Sequence, residues 1–235
     1  MNDFQVLYED EDVVVISKPA GVVVHRDAHH ISGTVADWFF EQHPEAQSVG
    51  ENPDRPGVVH RLDKDTSGAL LLCKNQKSFE YMKNLFQTSG IQKTYKALVV
   101  GIPIQDQGVI DEPIARSTKN FQKRVVGGEQ GRSREAITEY ITTEKFSNSG
   151  YALLDVLPRT GRTHQIRSHF AHIGFPIACD YLYGGKRYKC PVESGRHMLH
   201  AYSLEWTLLS GKKIQVVAPI PQDFEDVLKI LRKSG

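Results

Sequence analysis

The order of apolar and polar positions divides the 235-residue chain into short strands separated by a few helices. Phe4 to Tyr8 and Asp12 to Ser17 are rich in β-forming residues around an acidic turn, which predicts an opening hairpin. Lys18-Pro19-Ala20-Gly21 breaks the chain, and Val22-Val23-Val24 resumes the strand pattern. Ser32 to His43 reads as a helix: Val35, Trp38 and Phe39 share a face, Ser32 or Thr34 can cap it, and Pro44 ends it. Glu45 to Gly57 is polar and broken by Pro and Gly, hence a loop. Val58 to Asp63 and Ala69 to Lys74 read as strands flanking the turn Lys64-Asp65-Thr66-Ser67-Gly68. Ser78 is placed to cap a second helix, with Phe79, Met82, Leu85 and Phe86 at helical spacing and Gly90 as its stop.

The second half is mostly strand. Thr94 to Val100, Ala136 to Thr143 and Tyr151 to Leu157 have that pattern, with a basic loop between the first two. Thr163 can cap a helix running to Ile173, whose apolar stripe is Ile166, Phe170 and Ile173, closed by Gly174. Leu199 to Leu209 and Lys213 to Ala218 predict a hairpin around Ser210-Gly211. Pro221 starts a last amphipathic helix bearing Phe224, Val227, Leu228 and Leu231. Without repeats or low-complexity linkers, these elements predict one mixed α/β (α+β) domain, with a largely antiparallel central sheet flanked by helices.

Composition narrows the class. Hydrophobic residues at 40% and charged residues at 24% fit a globular protein and exclude a disordered, collagen-like or coiled-coil chain. No apolar run approaches the roughly 20 residues of a membrane span, and the acidic N-terminus lacks the pattern of a signal peptide. Cys73, Cys179 and Cys190 form no CxxC pair, so a reducing, cytoplasmic setting is expected. The charge sum, 29 − 28 = +1, argues for no partner, but its distribution does. Arg116, Lys119, Lys123, Arg124, Arg132 and Arg134 face one acid, Glu129, within residues 116–134. Arg159, Arg162 and Arg167 follow without an acid between them. Such blocks suit a phosphate backbone or an ordinary solvated loop.

Chemistry concentrates in His60-Arg61-Leu62-Asp63-Lys64-Asp65-Thr66-Ser67-Gly68. Alternation along a strand puts Arg61 and Asp63 on one face and His60 and Leu62 on the other. A carboxylate at a strand-to-turn junction with a guanidinium two residues away is kept ionised. Viewed alone, the same segment reads first as a surface ion pair and a hydroxyl-rich turn. There is no GxxxxGK[ST] loop, GxSxG elbow or HExxH helix. His169 and His172 lie three apart on one predicted helix, without the further ligands a metal site needs.

The HRLD–KD–TSG segment resembles the catalytic motif of the RluA-type RNA pseudouridine synthases. Lys18-Pro19-Ala20-Gly21 is similar to that family's N-terminal turn, although His25-Arg26 stands where a His-Pro often follows. Lys93-Thr94-Tyr95-Lys96-Ala97 resembles its K-x-Y-x-A strand, and Thr160 to Arg167 its TGR-x-HQIR segment. Asp180-Tyr181-Leu182-Tyr183-Gly184 and Leu199-His200-Ala201 are weaker echoes. The resemblance implies a single catalytic domain over residues 1–235, with its core at about 7–221 and a C-terminal helix at 221–233, and no room for a preceding S4-type domain. It implies isomerisation of a uridine in RNA: the N1–C1′ bond breaks, the uracil turns, and the base rejoins through C5.

In that scheme Asp63 is the ionised carboxylate at the ribose, whether it adds covalently or takes the 2′ proton. Arg167 is the basic residue that pairs with it, and Tyr95 stacks on the uracil near the C5 proton. Leu199 packs the opposite base face, and Arg61 enters the space left by the flipped base. Lys123, Arg124 and Arg162 are the candidate backbone-binding residues. The expected partner is RNA, with tRNA or a short rRNA stem-loop favoured over a large structured rRNA site. No cofactor, metal or membrane is expected, and the chain is read as a monomer. Two alternatives remain at this point: a catalytically silent RNA-binding module of the same fold, and a metal-dependent hydrolase built on His169 and His172.

Overall fold

The computed structural model describes residues 4–26, 30–127, 133–192, 195–208 and 210–234; Glu129, Arg132 and Leu209, named above, lie outside them. In chain order the elements are β1 (Gln5–Glu9), β2 (Val13–Lys18), α1 (Val35–Gln42), β3 (Ser67–Cys73), α2 (Gln76–Gln87), β4 (Gln92–Val100), β5 (Gln107–Asp111), β6 (Ile114–Arg116), β7 (Arg124–Val126), β8 (Ile137–Phe146), β9 (Tyr151–Pro158), α3 (Gln165–His172), β10 (Leu199–Thr207), β11 (Lys213–Val217) and α4 (Gln222–Lys233). The fold is mixed α/β with mostly antiparallel sheet, as the alternation predicts. The chain divides into two compact units, Met1–Gln92 with Ala201–Pro219, and Lys93–His200 with Ile220–Gly235.

In the first unit the strand order is β1-β2-β3-β10-β11. β1 and β2 pair antiparallel, as do β2 and β3 from Val13↔Cys73 to Lys18↔Gly68. All seven residues of β3 are buried, which explains its unbroken apolar run. Gly68 has φ +122°, and a Cβ there would lie 2.1 Å from the Ala201 carbonyl oxygen, so only glycine lets the two backbones approach. Thr34 caps α1 in a reciprocal capping box with Asp37. The Val22–Val24 run is not a strand: Val23 and Val24 carbonyls instead accept the Val35 and Ala36 N–H groups at the start of α1.

Three other expectations for this unit change. Val58 to Asp63 forms only an isolated bridge, Val58↔Leu72, because its side chains and main chain are committed to turn contacts described below. Asn75, not Ser78, caps α2; its side chain accepts the Ser78 N–H, while the Ser78 hydroxyl donates to the Asp12 and Asn75 carbonyls. Past the end of α2 the left-handed residue is Ser89 (φ 59°) rather than Gly90.

In the second unit the strand order is β4-β9-β8-β5, with every pairing antiparallel. One side buries Ala97, Val99, Leu154, Val156, Ile166, Phe170 and Leu199. The other buries Leu98, Leu153 and Met198 against Phe224, Val227, Leu228 and Leu231, the apolar stripe of α4. Arg196 fastens α4 to the start of β10: it holds Asp223 through Nε (2.6 Å) and Nη2 (3.0 Å) and donates through Nη1 to the His197 and Leu199 carbonyls. Thr163 does not cap α3; His164 occupies the cap in the left-handed region (φ 56°), with no side-chain cap bond. Cys179 and Cys190, read from the sequence as reduced thiols, are joined in a disulfide that brackets residues 180–189. Cys73 is a buried thiol, pushed up to about 12 by burial.

Candidate active site

The Asp63 turn is built by its neighbours in the first unit. Leu62 is buried, Arg61 is exposed and Asp63 is half-buried, so the alternation expected for a strand survives without a regular ladder. His60 faces inward: its Nε2 accepts the Leu71 N–H at 2.9 Å, and its ring stacks on Phe86 with centroids 4.3 Å apart. The Asp63 carbonyl accepts the Thr66 N–H (3.1 Å), closing the turn. Arg61 Nη1 lies 3.4 Å from His25 Nε2, and Lys64 Nζ donates to His30 Nε2 at 3.1 Å.

Lys18 explains why the Lys-Pro-Ala-Gly turn belongs with this segment. Its side chain is fully buried, and its ammonium donates to the Pro19, Val22 and Lys64 carbonyls at 2.8, 2.8 and 3.0 Å. The same Lys64 carbonyl accepts the Gly21 N–H at 2.9 Å, and Gly21 has φ +86°. The residue after Asp63 is thereby pinned by two donors from one turn. A buried ammonium with three carbonyl partners is a satisfied structural group.

In the second unit Tyr95 lies half-buried on β4 and packs against the cluster that contains Leu199. The TGR segment is held by Gln165, whose Oε1 accepts the Thr160 hydroxyl (2.8 Å) and the Arg162 N–H (2.9 Å). Its Nε2 donates to the Ile137 carbonyl and the Thr138 hydroxyl, both at 3.0 Å. Arg167, two residues further along α3, is 5% exposed, which removes the reading of a solvated helix residue. Its Nε and Nη2 reach Asp180 at 2.7 and 3.0 Å, a bidentate pair. Asp180 also accepts the Leu182 and Tyr183 N–H groups at 3.0 and 3.1 Å. Burial pushes the Asp180 carboxyl up, but the Arg167 hydrogen bonds and charge, the nearby His197 and the Tyr183 N–H outweigh it and leave it below the ordinary value.

The Arg167 guanidinium lies over the Tyr183 ring, 5.2 Å from its centroid. The Tyr183 hydroxyl accepts the Arg124 main-chain N–H at 2.7 Å and meets His164 Nδ1 at 2.9 Å. One tyrosine therefore touches α3, its cap and the basic segment. Asp180 and Tyr183 are the partners that sequence reasoning missed; the Asp-Tyr-Leu-Tyr-Gly echo was their only signal.

The basic segment is partly a hairpin, β6 against β7, with Arg116 opposite Arg124. Arg116 is engaged locally, donating to the Phe121 carbonyl and lying 5.4 Å from the Phe121 ring centroid. Lys119, Lys123, Arg124 and Arg134 have no carboxylate partner among the described residues. Arg159 is held by Glu139 through two 2.8 Å bonds. Of the two candidate histidines, His169 has Nδ1 2.9 Å from the Thr138 hydroxyl and Nε2 3.0 Å from the Glu112 carbonyl oxygen, and burial lowers its pKa. That makes it a structural histidine. No group of three or more His, Cys, Asp or Glu suited to a metal occurs among the described residues.

Comparison with known proteins agrees along nearly the whole chain. Residues 12–172 match the family model described as RNA pseudouridylate synthase. A Bacillus subtilis protein described as an uncharacterized RNA pseudouridine synthase, YlyB, is 35% identical over 99% of this chain and 74% of its own length. A Pseudomonas aeruginosa protein named ribosomal large subunit pseudouridine synthase D is also 35% identical, over 99% of this chain and 73% of that one. The solved structure of human RNA pseudouridylate synthase domain containing 4 superposes with a TM-score of 0.73 at 26% identity, covering 97% of this chain and 93% of that chain. The chain belongs to the RluA-type family of RNA pseudouridine synthases, enzymes that isomerise uridine in RNA.

Proposed function

We propose that this enzyme modifies a uridine in large-subunit ribosomal RNA, with Asp63 as the carboxylate at the ribose. The ribosomal choice is supported by the names of relatives such as the Pseudomonas protein, and it departs from the sequence expectation, which favoured tRNA or a short rRNA stem-loop over a large structured rRNA site. The observation that carries the catalytic assignment is the pinned turn around Asp63. A half-buried carboxylate whose following residue is fixed by Lys18 and Gly21 is pre-organised for chemistry at one atom.

The whole chain works as one catalytic domain, a monomer that uses no cofactor or metal. The target base flips from its stack, at a cost on the order of a few kcal/mol, and Arg61 fills the space it leaves. Tyr95 stacks on the uracil, and Leu199 packs against its other face. Arg167 supplies a permanent positive charge that cannot be lost at working pH. Lys123, Arg124 and Arg162 contact the backbone, where contacts position the substrate without reading sequence.

Pseudouridine mapping of total RNA from cells with and without this gene tests the assignment. Loss of one or more pseudouridines in large-subunit rRNA is expected. Loss confined to tRNA would overturn the ribosomal choice and leave the chemistry standing.

A further inference from the structure

Three buried cations in the motif-bearing segments differ in how they are satisfied. Lys18 spends its ammonium donors on three carbonyls. Arg167 is held by a buried carboxylate. Lys93 has neither arrangement. It is 8% exposed, and its Nζ makes one hydrogen bond among the described residues, to the Thr160 carbonyl at 3.2 Å. The charged group nearest in effect is another cation: burial first, then the Arg162 guanidinium, pull its pKa down to about 8.

Arg162 has no carboxylate partner among the described residues either; its Nε donates to the Glu135 carbonyl at 3.0 Å, and its terminal nitrogens make no hydrogen bond to any described residue. Two neighbouring cations with unused donors, one of them desolvated, are costly to hold unless an anion completes them. Between Thr160 and Arg162 stands Gly161, where a Cβ would have nothing within 4 Å, so the main chain there is open to an approaching group. Lys93 also lies two residues before Tyr95 on β4, on the same face of the strand.

We propose that Lys93 and Arg162 form a phosphate site that takes a backbone phosphate of the RNA substrate. The proposal rests on the reading that this chain acts on RNA, and it adds Lys93 as a substrate-binding residue. Lys93 Nζ and the Arg162 terminal nitrogens donate to the phosphate oxygens, and Gly161 leaves room for the strand. Lys93 then fixes the nucleotide near Tyr95 and takes no part in bond breaking.

The test uses the intact protein carrying lysine labelled with carbon-13 at Cε, with the Lys93 signal identified by its loss in Lys93→Met. Inorganic phosphate should raise the pH at which Lys93 titrates from its free value, since an anion favours the charged form. Uridine without phosphate should leave it unmoved. Arg162→Met should raise the free value, by removing the repelling charge, and weaken the phosphate response. With RNA from a strain lacking this gene, Lys93→Met should flatten the slope of log affinity against log salt by about 0.7 to 0.9, and Lys93→Arg should restore it. A Lys93 titration indifferent to phosphate, or an unchanged salt slope in a folded Lys93→Met protein, would overturn the site. Normal pseudouridine formation beside those results would sink this inference alone; no pseudouridine beside a clear phosphate response would sink the proposed function instead.

Discussion

Replacing Asp180 by Asn probes how Arg167 is held. The side chains of Asp180 and Arg167 are 0% and 6% exposed, so the pair is screened little by water. The carboxylate accepts four hydrogen bonds, two from Arg167 and two from main-chain N–H groups. An amide of the same size keeps one acceptor oxygen and turns an NH2 donor toward other donors, while the guanidinium stays charged. Breaking such a pair by removing one partner costs about 3–5 kcal/mol. At about 2–4 °C per kcal/mol for a chain of this size, Tm should fall by about 6–20 °C.

The pH dependence has a defined sign. The folded Asp180 pKa lies below the ordinary value of 3.8, so the pair stabilises fully above that value and is lost as pH falls through the lower folded value. The Tm difference between wild type and Asp180→Asn should therefore be flat near neutrality and shrink in strong acid. Calorimetric melting across pH measures both. A variant that melts with wild type at neutral pH would refute the argument that Asp180 holds Arg167.

Other consequences can be checked on the same preparations. Lys18→Met should destabilise by about 2 kcal/mol or more in urea unfolding, because the Pro19 and Val22 carbonyls lose their donor at about 1–3 kcal/mol each while the Lys64 carbonyl keeps the Gly21 N–H; wild-type stability would contradict the pinning of the Asp63 turn. Lys123→Ala with Arg124→Ala should weaken RNA binding and flatten its salt slope by up to about 1.8, with little change in saturated turnover. The Arg124 main-chain bond to Tyr183 survives that change, so an unaltered slope with normal affinity would return the hairpin to an ordinary solvated surface.

Much of this was legible in the sequence for identifiable reasons. β3 is buried on every residue and α4 has one clean stripe, so periodicity alone finds them. β5, β6 and β7 escaped because they are short and half-exposed, and Gly, Asp and Arg dilute the β signal. Val58 to Asp63 has the composition of a strand, yet His60 and the Asp63 carbonyl serve the turn. The motif letters of the site were readable, but their partners were not. Asp180 lies thirteen residues from Arg167, a separation no local period encodes, and Lys18 acts through three carbonyls that carry no sequence signal.

The central claim is that this chain isomerises uridine through Asp63. Purified wild-type protein and Asp63→Asn should be incubated with RNA from a strain lacking the gene, and pseudouridine formed at the mapped position counted. Wild type should restore the modification. Asp63→Asn, which keeps the size but not the charge of the carboxylate, should bind the RNA and melt near wild type while forming no pseudouridine. Substantial turnover by a folded Asp63→Asn protein would contradict the account.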